Sequence, residues 1–202
     1  MRILFQGDSV TDAGRNYDDP NDLGPGYPKY AAERLRELFP DRDFTFFNRG
    51  ISGNRSSQLL DRLQRDFLDL KPDLVTILIG VNDAWHRYDP AHIYVSKKAY
   101  EDNYRKILEA LKQTGAKIIM MEPFCLQTPH IPDFRDDLNG KIGVCRALAR
   151  EYACAYLPLD GMLAADTVVN AYDHLTNDGV HPNEQGRQWL GTLLADEIAK
   201  HI

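Results

Sequence analysis

Cysteine, long apolar runs and basic runs are all scarce in this sequence, and each absence narrows what the chain can be. The three cysteines, Cys125, Cys145 and Cys154, are an odd number without a C-x-x-C pair. They therefore fit buried reduced thiols better than disulfides or a zinc site. No stretch approaches the roughly 20 apolar residues that cross a bilayer. The net charge is −6 and no basic run occurs, which argues against a nucleic-acid binder.

The N-terminus also lacks the pattern of a secretory signal. Its apolar run is only a few residues long, and no small-residue cleavage site follows. We therefore expect the protein to stay in the cytoplasm. The 202 residues are 43% hydrophobic and 27% charged, as in an ordinary globular domain. Because the sequence has no internal repeat, low-complexity tract or linker, we expect a single domain over residues 1–202.

The apolar residues fall into short runs that alternate with longer amphipathic segments. The runs predict strands at residues 3–5, 44–47, 74–79, 117–121 and 155–157, and the segments predict helices at 27–39, 56–70, 96–113, 133–152 and 183–202. Such alternation is typical of βαβ crossovers and a parallel sheet. By analogy with doubly wound folds, we expect a three-layer α/β/α, flavodoxin-like fold with a five-stranded parallel sheet of order 2-1-3-4-5.

The ends of three predicted strands present polar groups at the edge where such a sheet binds ligands. Ser9 follows the first strand, Gly50 the second and Asn82 the third. The carboxyl ends of these neighbouring strands meet at the switch point of the sheet. Taken alone, Gly7-Asp8-Ser9 would be an ordinary turn. We expect the late loop at 177–182 to fold over the same edge.

Together these segments supply the groups that acyl transfer requires. Ser9 offers a hydroxyl nucleophile, His181 a base for its proton, and Asp178 a carboxylate that orients the histidine. The backbone N–H groups of Ser9 and Gly50 and the side-chain amide of Asn82 can donate to the developing oxyanion. A glycine at position 50 would let the backbone approach the substrate without a side chain in the way.

Four sequence blocks, taken in order, resemble those of a known family. Gly7-Asp8-Ser9, Gly50, Gly80-Val-Asn82 and Asp178-Gly-Val-His181 match the blocks of the SGNH (GDSL-type) hydrolases. The match runs from the first strand to the last helix. The resemblance implies a flavodoxin-like α/β/α fold and ester hydrolysis without a metal or cofactor. It also implies a Ser9–His181–Asp178 triad and an oxyanion hole built from Ser9, Gly50 and Asn82.

Residues beside the serine separate this family from others that share its chemistry. Thr11 excludes the G-x-S-x-G motif of ordinary α/β-hydrolases, which places a glycine there. Val10 stands where the eponymous leucine of the family lies, a conservative difference. Further stretches resemble the cytoplasmic bacterial acetylxylan esterases, which implies short acetylated xylose-based sugars as substrates and assembly into homo-oligomers. These stretches are Gly24-Pro-Gly-Tyr27, Asn48-Arg-Gly-Ile-Ser-Gly-Asn54, Ile79-Gly-Val-Asn-Asp-Ala-Trp85, Met121-Glu-Pro-Phe124 and Val180-His-Pro-Asn183.

Candidate substrate-binding residues lie close to these blocks. We expect Asp8, Tyr27 and Trp85 to contact substrate. Trp85 can stack on a sugar ring, although packing under its loop is a comparable alternative. Tyr17 and Tyr88 are further candidates for a sugar-sized groove, in which some of the tyrosines belong instead to the core.

Other polar residues have structural interpretations. Asp83 is expected to brace the loop beside Asn82 through backbone hydrogen bonds. Asp12 and Arg55 are expected to form an ion pair near the crevice, and His174 is a weaker rival to His181 as the base. His86, His92 and His130 are expected at the surface, and Asp18, Asp19 and Asp22 in a solvated loop rather than a metal site.

Rival functions keep or abandon the proposed chemistry. A lysophospholipase or acyl-thioesterase would use the same triad on a different acyl group, but the crevice loops contain few contiguous aliphatic residues. A non-catalytic domain would bind glycans or a partner in the crevice, which the complete set of catalytic groups disfavours. A phosphate-binding flavodoxin-like protein fits less well, because the first loop is acidic rather than glycine-rich.

Overall fold

Five parallel strands form the centre of the molecule and pair in the order β2-β1-β3-β4-β5. The structure is a computed structural model that describes residues 1–126, 128, 131 and 133–202. This strand order confirms the predicted fold class and the predicted order of the sheet. The strands are β1 (Arg2–Gly7), β2 (Thr45–Asn48), β3 (Leu74–Leu78), β4 (Lys117–Met121) and β5 (Ala155–Leu157).

Helices connect the strands, and most of them lie close to the predicted positions. Gly115 ends one of the long helices in the left-handed conformation, as its position in the sequence suggests. Among the helices of the described residues, none is both long enough and apolar enough to cross a membrane. The helices are α1 (Ser9–Asp12), α2 (Tyr27–Leu38), α3 (Ser56–Asp61), α4 (Leu63–Asp66), α5 (Val81–Trp85), α6 (Lys97–Thr114), α7 (Arg135–Tyr152), α8 (Leu159–Asp166) and α9 (Glu184–Ala199).

Each face of the sheet carries its own apolar core, because successive side chains of a strand point to opposite faces. Ile3 and Phe5 of β1 pack with residues of α2 and α9, whereas Leu4 packs with residues of α3 and α6 on the other face. Both faces are covered, which explains why the strands read as continuous apolar runs. This arrangement leaves the carboxyl edge of the sheet free for polar groups.

The predicted helix at 56–70 is divided, and this was not anticipated. Its pieces are α3, α4 and a 3₁₀ turn at Leu68–Leu70. The backbone leaves helical geometry at Arg62 and Phe67. Both residues turn their side chains inward: Phe67 packs in the apolar core, and Arg62 reaches buried carbonyl groups. Local periodicity could not reveal either long-range contact.

Helix α8 was also missed, because its apolar residues do not form a single stripe. Its first turn is held by the buried carboxylate of Glu122, which follows β4. Glu122 Oε2 accepts hydrogen bonds from the backbone N–H groups of Asp160 (3.1 Å) and Gly161 (3.4 Å). An acidic group at a helix N-terminus satisfies N–H groups that have no partner within the helix.

The three cysteines occupy different environments. Cys145 is buried, Cys125 is half-buried and Cys154 is exposed, and none forms a disulfide. The prediction of burial is right for Cys145 and wrong for Cys154. That residue lies just before β5, at the outer edge of the sheet, where fewer side chains cover it.

Candidate active site

The serine lies where β1 ends and a short helix begins. Ser9 is the first residue of α1, and Asp8 caps this helix by accepting a hydrogen bond from the Val10 N–H at 3.1 Å. Gly7 allows the sharp exit from the sheet, because a Cβ there would lie 2.4 Å from the Leu78 carbonyl oxygen. The Ser9 side chain is consequently half-buried at the carboxyl edge of the sheet.

The loop before α9 brings a histidine and a carboxylate to this serine. Ser9 Oγ lies 2.9 Å from His181 Nε2, and His181 Nδ1 lies 2.7 Å from Asp178 Oδ2. The other Asp178 oxygen accepts hydrogen bonds from the N–H groups of Val180 (2.9 Å) and His181 (2.8 Å). This chain of contacts has the geometry of a serine nucleophile, its base and an orienting carboxylate.

The electrostatics of the pair favour a basic imidazole. Burial alone would raise the pKa of Asp178, but hydrogen bonds from His181 and the backbone hold that pKa at about 2. The hydrogen bond to Asp178 raises the pKa of His181, and this effect exceeds the opposing effect of burial. Asp178 is therefore ionised at neutral pH, and it strengthens His181 as a proton acceptor.

A contact with the loop after β4 fixes the position of this pair. Gly179 has φ +99°, and a Cβ there would lie 2.5 Å from the Leu126 carbonyl oxygen. The Leu126 N–H donates to the Gly179 carbonyl at 2.8 Å, and Thr128 Oγ1 donates to the Asp178 carbonyl at 3.1 Å. Only glycine accommodates both the backbone conformation and the close approach. Sequence reasoning did not identify Thr128 as part of the site.

The predicted oxyanion residue Asn82 lies near the start of α5. Its Nδ2 donates to the Asn54 carbonyl at 3.1 Å, and the second N–H of the amide has no acceptor among the described residues. The neighbouring Asp83 is fully buried and accepts hydrogen bonds from the Ser56 N–H (2.9 Å) and Oγ (2.5 Å). Burial raises the pKa of Asp83 to about 6. Asp83 thus has the bracing position expected of it.

Gly50 also lies beside the serine helix, but its environment differs from the prediction. The Gly50 N–H donates to Asn48 Oδ1 at 2.9 Å. A Cβ at Gly50 would lie 2.3 Å from the Asp12 backbone nitrogen. The absence of a side chain is therefore required by packing against α1, rather than by approach of a substrate as the sequence suggested.

The predicted substrate-binding residues differ in accessibility. Asp8 is 1% exposed beneath α1, and burial raises its pKa to about 7. Tyr27 is fully buried, and its hydroxyl lies 2.9 Å from Thr11 Oγ1. Neither position fits direct contact with substrate, because the buried Asp8 side chain caps α1 and Tyr27 belongs to the core. Trp85 remains a candidate: it is half-buried, and its ring centroid lies 6.3 Å from that of His181.

An aromatic cluster extends outward from Trp85. The Trp85 ring stacks on Phe134 with centroids 5.6 Å apart, and Tyr88 stacks on the same ring at 6.4 Å. Tyr88 and Tyr17 are partly exposed. Trp85 therefore combines both interpretations considered for it, because it packs on the loop residues and also borders the site.

The predicted ion pair between Asp12 and Arg55 is wrong. Asp12 Oδ2 instead accepts hydrogen bonds from Tyr17 Oη (2.6 Å) and from Ser52 Oγ (2.6 Å). Arg55 donates from Nε to Gln58 Oε1 in its own helix. Hydroxyl donors close to Asp12 in space bind one oxygen of the carboxylate, for which the sequence suggested an arginine.

The remaining polar candidates have mixed outcomes. His92 is exposed as expected, but His86 is half-buried because it bonds Asp89 Oδ2 at 2.5 Å and the Gly53 carbonyl at 3.0 Å. His130 lies outside the described residues. In the loop that carries Asp18, Asp19 and Asp22, the Asp22 carboxylate accepts hydrogen bonds from the backbone N–H groups of Asn16 and Gly24, as a turn-forming aspartate does.

Comparison with known proteins agrees with this geometry. The model of the GDSL-like lipase/acylhydrolase family matches residues 5–189. The chain belongs to the GDSL-like lipase/acylhydrolase family. The match covers Ser9, Asn82, Asp178 and His181, so the residues assembled at the edge of the sheet all fall inside the family region.

The chain is similar to several esterases and related hydrolases. An acetylxylan esterase from Geobacillus stearothermophilus is 31% identical, over 98% of this chain and 93% of the relative. A protein from Parabacteroides merdae described as a GDSL-like lipase has a solved structure with TM-score 0.92 and 32% identity, covering 98% of this chain and 95% of the other. A thioesterase 1/protease 1/lysophospholipase L1 from Escherichia coli is 24% identical, over 87% of this chain and 79% of the relative. The chain is thus an enzyme of the GDSL/SGNH esterase type.

Proposed function

We propose that the protein is a serine carboxylester hydrolase that removes O-acetyl groups from small carbohydrates such as xylo-oligosaccharides. The observation that carries this proposal is the unbroken chain of contacts from Ser9 Oγ through His181 to Asp178, at 2.9 and 2.7 Å. A hydroxyl within reach of an oriented imidazole can be deprotonated as it attacks a carbonyl. The second support is the similarity to an acetylxylan esterase along nearly the whole chain.

In the proposed mechanism, Ser9 Oγ attacks the acetyl carbonyl carbon while His181 Nε2 accepts the hydroxyl proton. The tetrahedral intermediate then collapses, and the imidazolium gives that proton to the departing sugar oxygen. The products of this half-reaction are a free sugar hydroxyl and an acetyl ester on Ser9. Water, deprotonated by His181, releases acetate in the reverse sequence of steps. Asp178 keeps the imidazole oriented and stabilises its charged form.

The oxyanion formed in each half-reaction needs donors that point to one place. We assign this role to the Ser9 N–H, the second N–H of the Asn82 amide, and the Gly50 N–H. The first two lie at the start of short helices, α1 and α5. The Gly50 N–H is bonded to Asn48 Oδ1, so it must exchange that partner for the oxyanion when substrate binds. Apo enzymes often tighten such contacts only in the reactive complex.

A carbohydrate is the substrate class that best fits the surroundings of the base. Trp85 borders His181, and aromatic rings offer a flat apolar face that a sugar ring can cover. The net charge of −6 makes a neutral acetylated sugar a better partner than an anionic substrate. Asp8 and Tyr27 support the site from below rather than by contact.

A second function on the same triad is hydrolysis of longer acyl esters or thioesters. The observation that supports this second function is the similarity to the thioesterase 1/protease 1/lysophospholipase L1 of Escherichia coli. It predicts a preference for long acyl chains. A non-catalytic binding domain is disfavoured, because it would not need a serine, a histidine and a carboxylate in hydrogen-bonding sequence.

The test is hydrolysis of p-nitrophenyl acetate, butyrate and octanoate, with the Ser9→Ala variant alongside. We expect acetate to be the preferred ester and Ser9→Ala to lower kcat by roughly 10⁴-fold or more. Acetate release from acetylated xylo-oligosaccharides would then identify the natural substrate class. A preference for octanoate would favour the second function, and full activity of Ser9→Ala would refute the acyl-enzyme on Ser9.

We also propose that the protein acts in the cytoplasm as a homo-oligomer. Both proposals rest on the resemblance to the cytoplasmic acetylxylan esterases. Light scattering on the purified protein would give the mass of the assembly, and a mass near 23.0 kDa would mark a monomer and contradict the second proposal.

A further inference from the structure

The side chain of Arg62 occupies a buried position between the loops of the active site. Its residue lies at the break between α3 and α4, and the side chain is 7% exposed. In the sequence, Arg62 and Asp66 share the face of the predicted helix that carries Leu59 and Leu63. A charged pair four residues apart on an apolar face is a signal of a buried ion pair, although it does not reveal what else the arginine binds.

The Arg62 guanidinium donates to groups from separate segments of the chain. Nη2 donates to the Gly7 carbonyl at 3.1 Å, and Nη1 donates to the Arg49 carbonyl at 2.7 Å. Nε donates to Asn54 Oδ1 at 3.0 Å, and Nη1 also reaches Asp66 Oδ2 at 3.1 Å. A planar guanidinium with fixed donor directions suits such a junction better than the single ammonium of lysine.

Two of these acceptors lie close before proposed oxyanion donors in the chain. Gly7 precedes Asp8 and Ser9, and the Arg49 carbonyl belongs to the same peptide group as the Gly50 N–H. A hydrogen bond to a carbonyl polarises its peptide group and makes the attached N–H a stronger donor. Arg62 therefore acts on the Gly50 N–H by position and by polarisation.

The third donor is reached through one intermediate residue. Asn54 accepts from Arg62 Nε through its side chain, and its backbone carbonyl accepts from Asn82 Nδ2 at 3.1 Å. Holding Asn54 in place holds one N–H of the Asn82 amide, which fixes the direction of the other. Because the amide is planar, a rotation of Asn54 would turn the free N–H away from the oxyanion.

The charge of Arg62 is compensated inside the protein. Burial lowers the pKa of Arg62, and hydrogen bonding to Asp66 opposes this effect. Burial would raise the pKa of Asp66, but hydrogen bonds from Arg65 and Arg62 outweigh it and hold that pKa below its usual range. Asp66 therefore stays ionised, and the guanidinium remains charged against the backbone carbonyls.

We propose that Arg62 is the positioning residue of the oxyanion hole, because one guanidinium ties together the loops that carry Ser9, Gly50 and Asn82. This inference rests on the proposed function and extends it to a residue that touches no substrate. Its effect belongs to the transition state, since the oxyanion donors bind charge that develops only as the acetyl carbonyl is attacked.

The test compares Arg62→Lys with Arg65→Lys. Arg65 is a matched control, because it bonds the same Asp66 carboxylate from Nε at 2.7 Å but is 74% exposed. For Arg62→Lys on p-nitrophenyl acetate we expect kcat to fall by about 10- to 100-fold with KM within about threefold, since complete loss of one donor costs about 10²- to 10³-fold. For Arg65→Lys we expect both constants to stay within about twofold.

A double-mutant cycle with Asn82→Ala separates positioning from a general structural role. Once the Asn82 amide is absent, part of what Arg62 positions is gone, so we expect the loss from Arg62→Lys to shrink at least about threefold. An equal loss in both backgrounds would overturn the proposal, and so would full activity of Arg62→Lys. Either result would leave the triad of the proposed function intact.

A further variant covers the case in which Arg62→Lys fails to fold. Asn54→Ala removes the acceptor of Arg62 Nε but keeps the backbone carbonyl that Asn82 uses, and we expect a loss in kcat of about 3- to 10-fold with the same coupling to Asn82→Ala. An unchanged kcat would contradict the proposal. If the wild-type protein hydrolyses no activated ester and a fluorophosphonate does not label Ser9, the proposed function fails and this inference fails with it.

Discussion

Two histidine–aspartate pairs lie close together in the chain, and only one of them meets a serine. His174 Nδ1 contacts Asp166 Oδ2 at 2.9 Å, much as His181 Nδ1 contacts Asp178 Oδ2 at 2.7 Å. The difference is at the other ring nitrogen. His181 Nε2 faces Ser9 Oγ, whereas His174 Nε2 faces the amide nitrogen of Gln185 at 2.9 Å. An amide N–H can satisfy an imidazole, but it does not become a nucleophile at neutral pH.

In a third histidine–aspartate pair, the group that faces Nε2 is a hydrogen-bond acceptor. His86 Nδ1 contacts Asp89, and His86 Nε2 lies 3.0 Å from the Gly53 carbonyl oxygen. A carbonyl oxygen only accepts, so His86 Nε2 must carry a proton and cannot act as a base there. The carboxylate thus orients an imidazole in each pair, and the group at Nε2 decides whether the pair can do chemistry.

The largest effect is expected from removing each imidazole in turn. We expect His181→Asn to lower kcat on p-nitrophenyl acetate by about 10⁴-fold, because the serine loses its base. His174→Asn should leave kcat within about twofold, since its ring faces no hydroxyl. Steady-state kinetics on the two purified variants measures both values. Similar losses in the two variants would show that the comparison assigns the base incorrectly.

Removing the charge of each carboxylate is expected to have the next largest effect. Asp178→Asn should lower kcat by about 10³-fold, because the amide no longer selects the correct tautomer and no longer stabilises the imidazolium. Asp166→Asn is the matched control and should remain within about twofold. If Asp178→Asn retained wild-type activity, the orienting role of this carboxylate would be refuted.

The pH dependence of the same variant sharpens the comparison. In the wild type, Asp178 raises the pKa of His181 above its ordinary value of about 6.5. As the pH falls through that raised pKa, His181 becomes protonated and cannot accept the serine proton, so kcat/KM falls about tenfold per pH unit. In Asp178→Asn, the midpoint of this fall should move to lower pH. A midpoint that stays in place or moves upward would show that another group titrates.

The smallest effect is expected at Gln185, the residue that occupies the place of the serine in the second pair. Its contact with His174 is exposed to solvent, so Gln185→Ala should change the free energy of unfolding by less than about 0.5 kcal/mol. Its kcat should match the wild type. Urea denaturation and ester hydrolysis measure the two values. A loss of activity here would tie the second pair to catalysis.

The features that could be predicted from the sequence are those that follow from the pairing of adjacent parallel strands. Ser9, Gly50 and Asn82 each follow a strand, and the register that pairs Gly7 with Leu78 and Phe5 with Asn48 brings the three strand ends together. Asp178 and His181 could be recognised because a carboxylate three residues before a histidine, together with the serine, supplies the groups that acyl transfer requires.

The features that could not be predicted depend on contacts between residues far apart in sequence. The apolar period of 56–70 indicates one helix, yet Arg62 leaves it to bind carbonyl groups from β1 and from the loop after β2. Tyr27 opens a helix beside the site, and periodicity alone does not show that its ring faces the core. The partners of Asp12 could not be predicted, because the sequence does not show which donors lie close to it. Opposite charge suggested an arginine, but the hydroxyl groups of Tyr17 and Ser52 bind the carboxylate instead.

The cysteine thiols differ in burial, so their rates of chemical modification can report local opening of the fold independently of catalysis. Cys145 donates to the Met121 carbonyl at 3.7 Å, between α7 and β4, and burial raises the pKa of the half-buried Cys125 to about 12. A thiol-specific reagent meets Cys154 in the closed molecule, but it reaches Cys145 only when α7 separates from the sheet. The rate of that second modification reports how often the helix layer detaches, and therefore how rigid the scaffold behind the active site is.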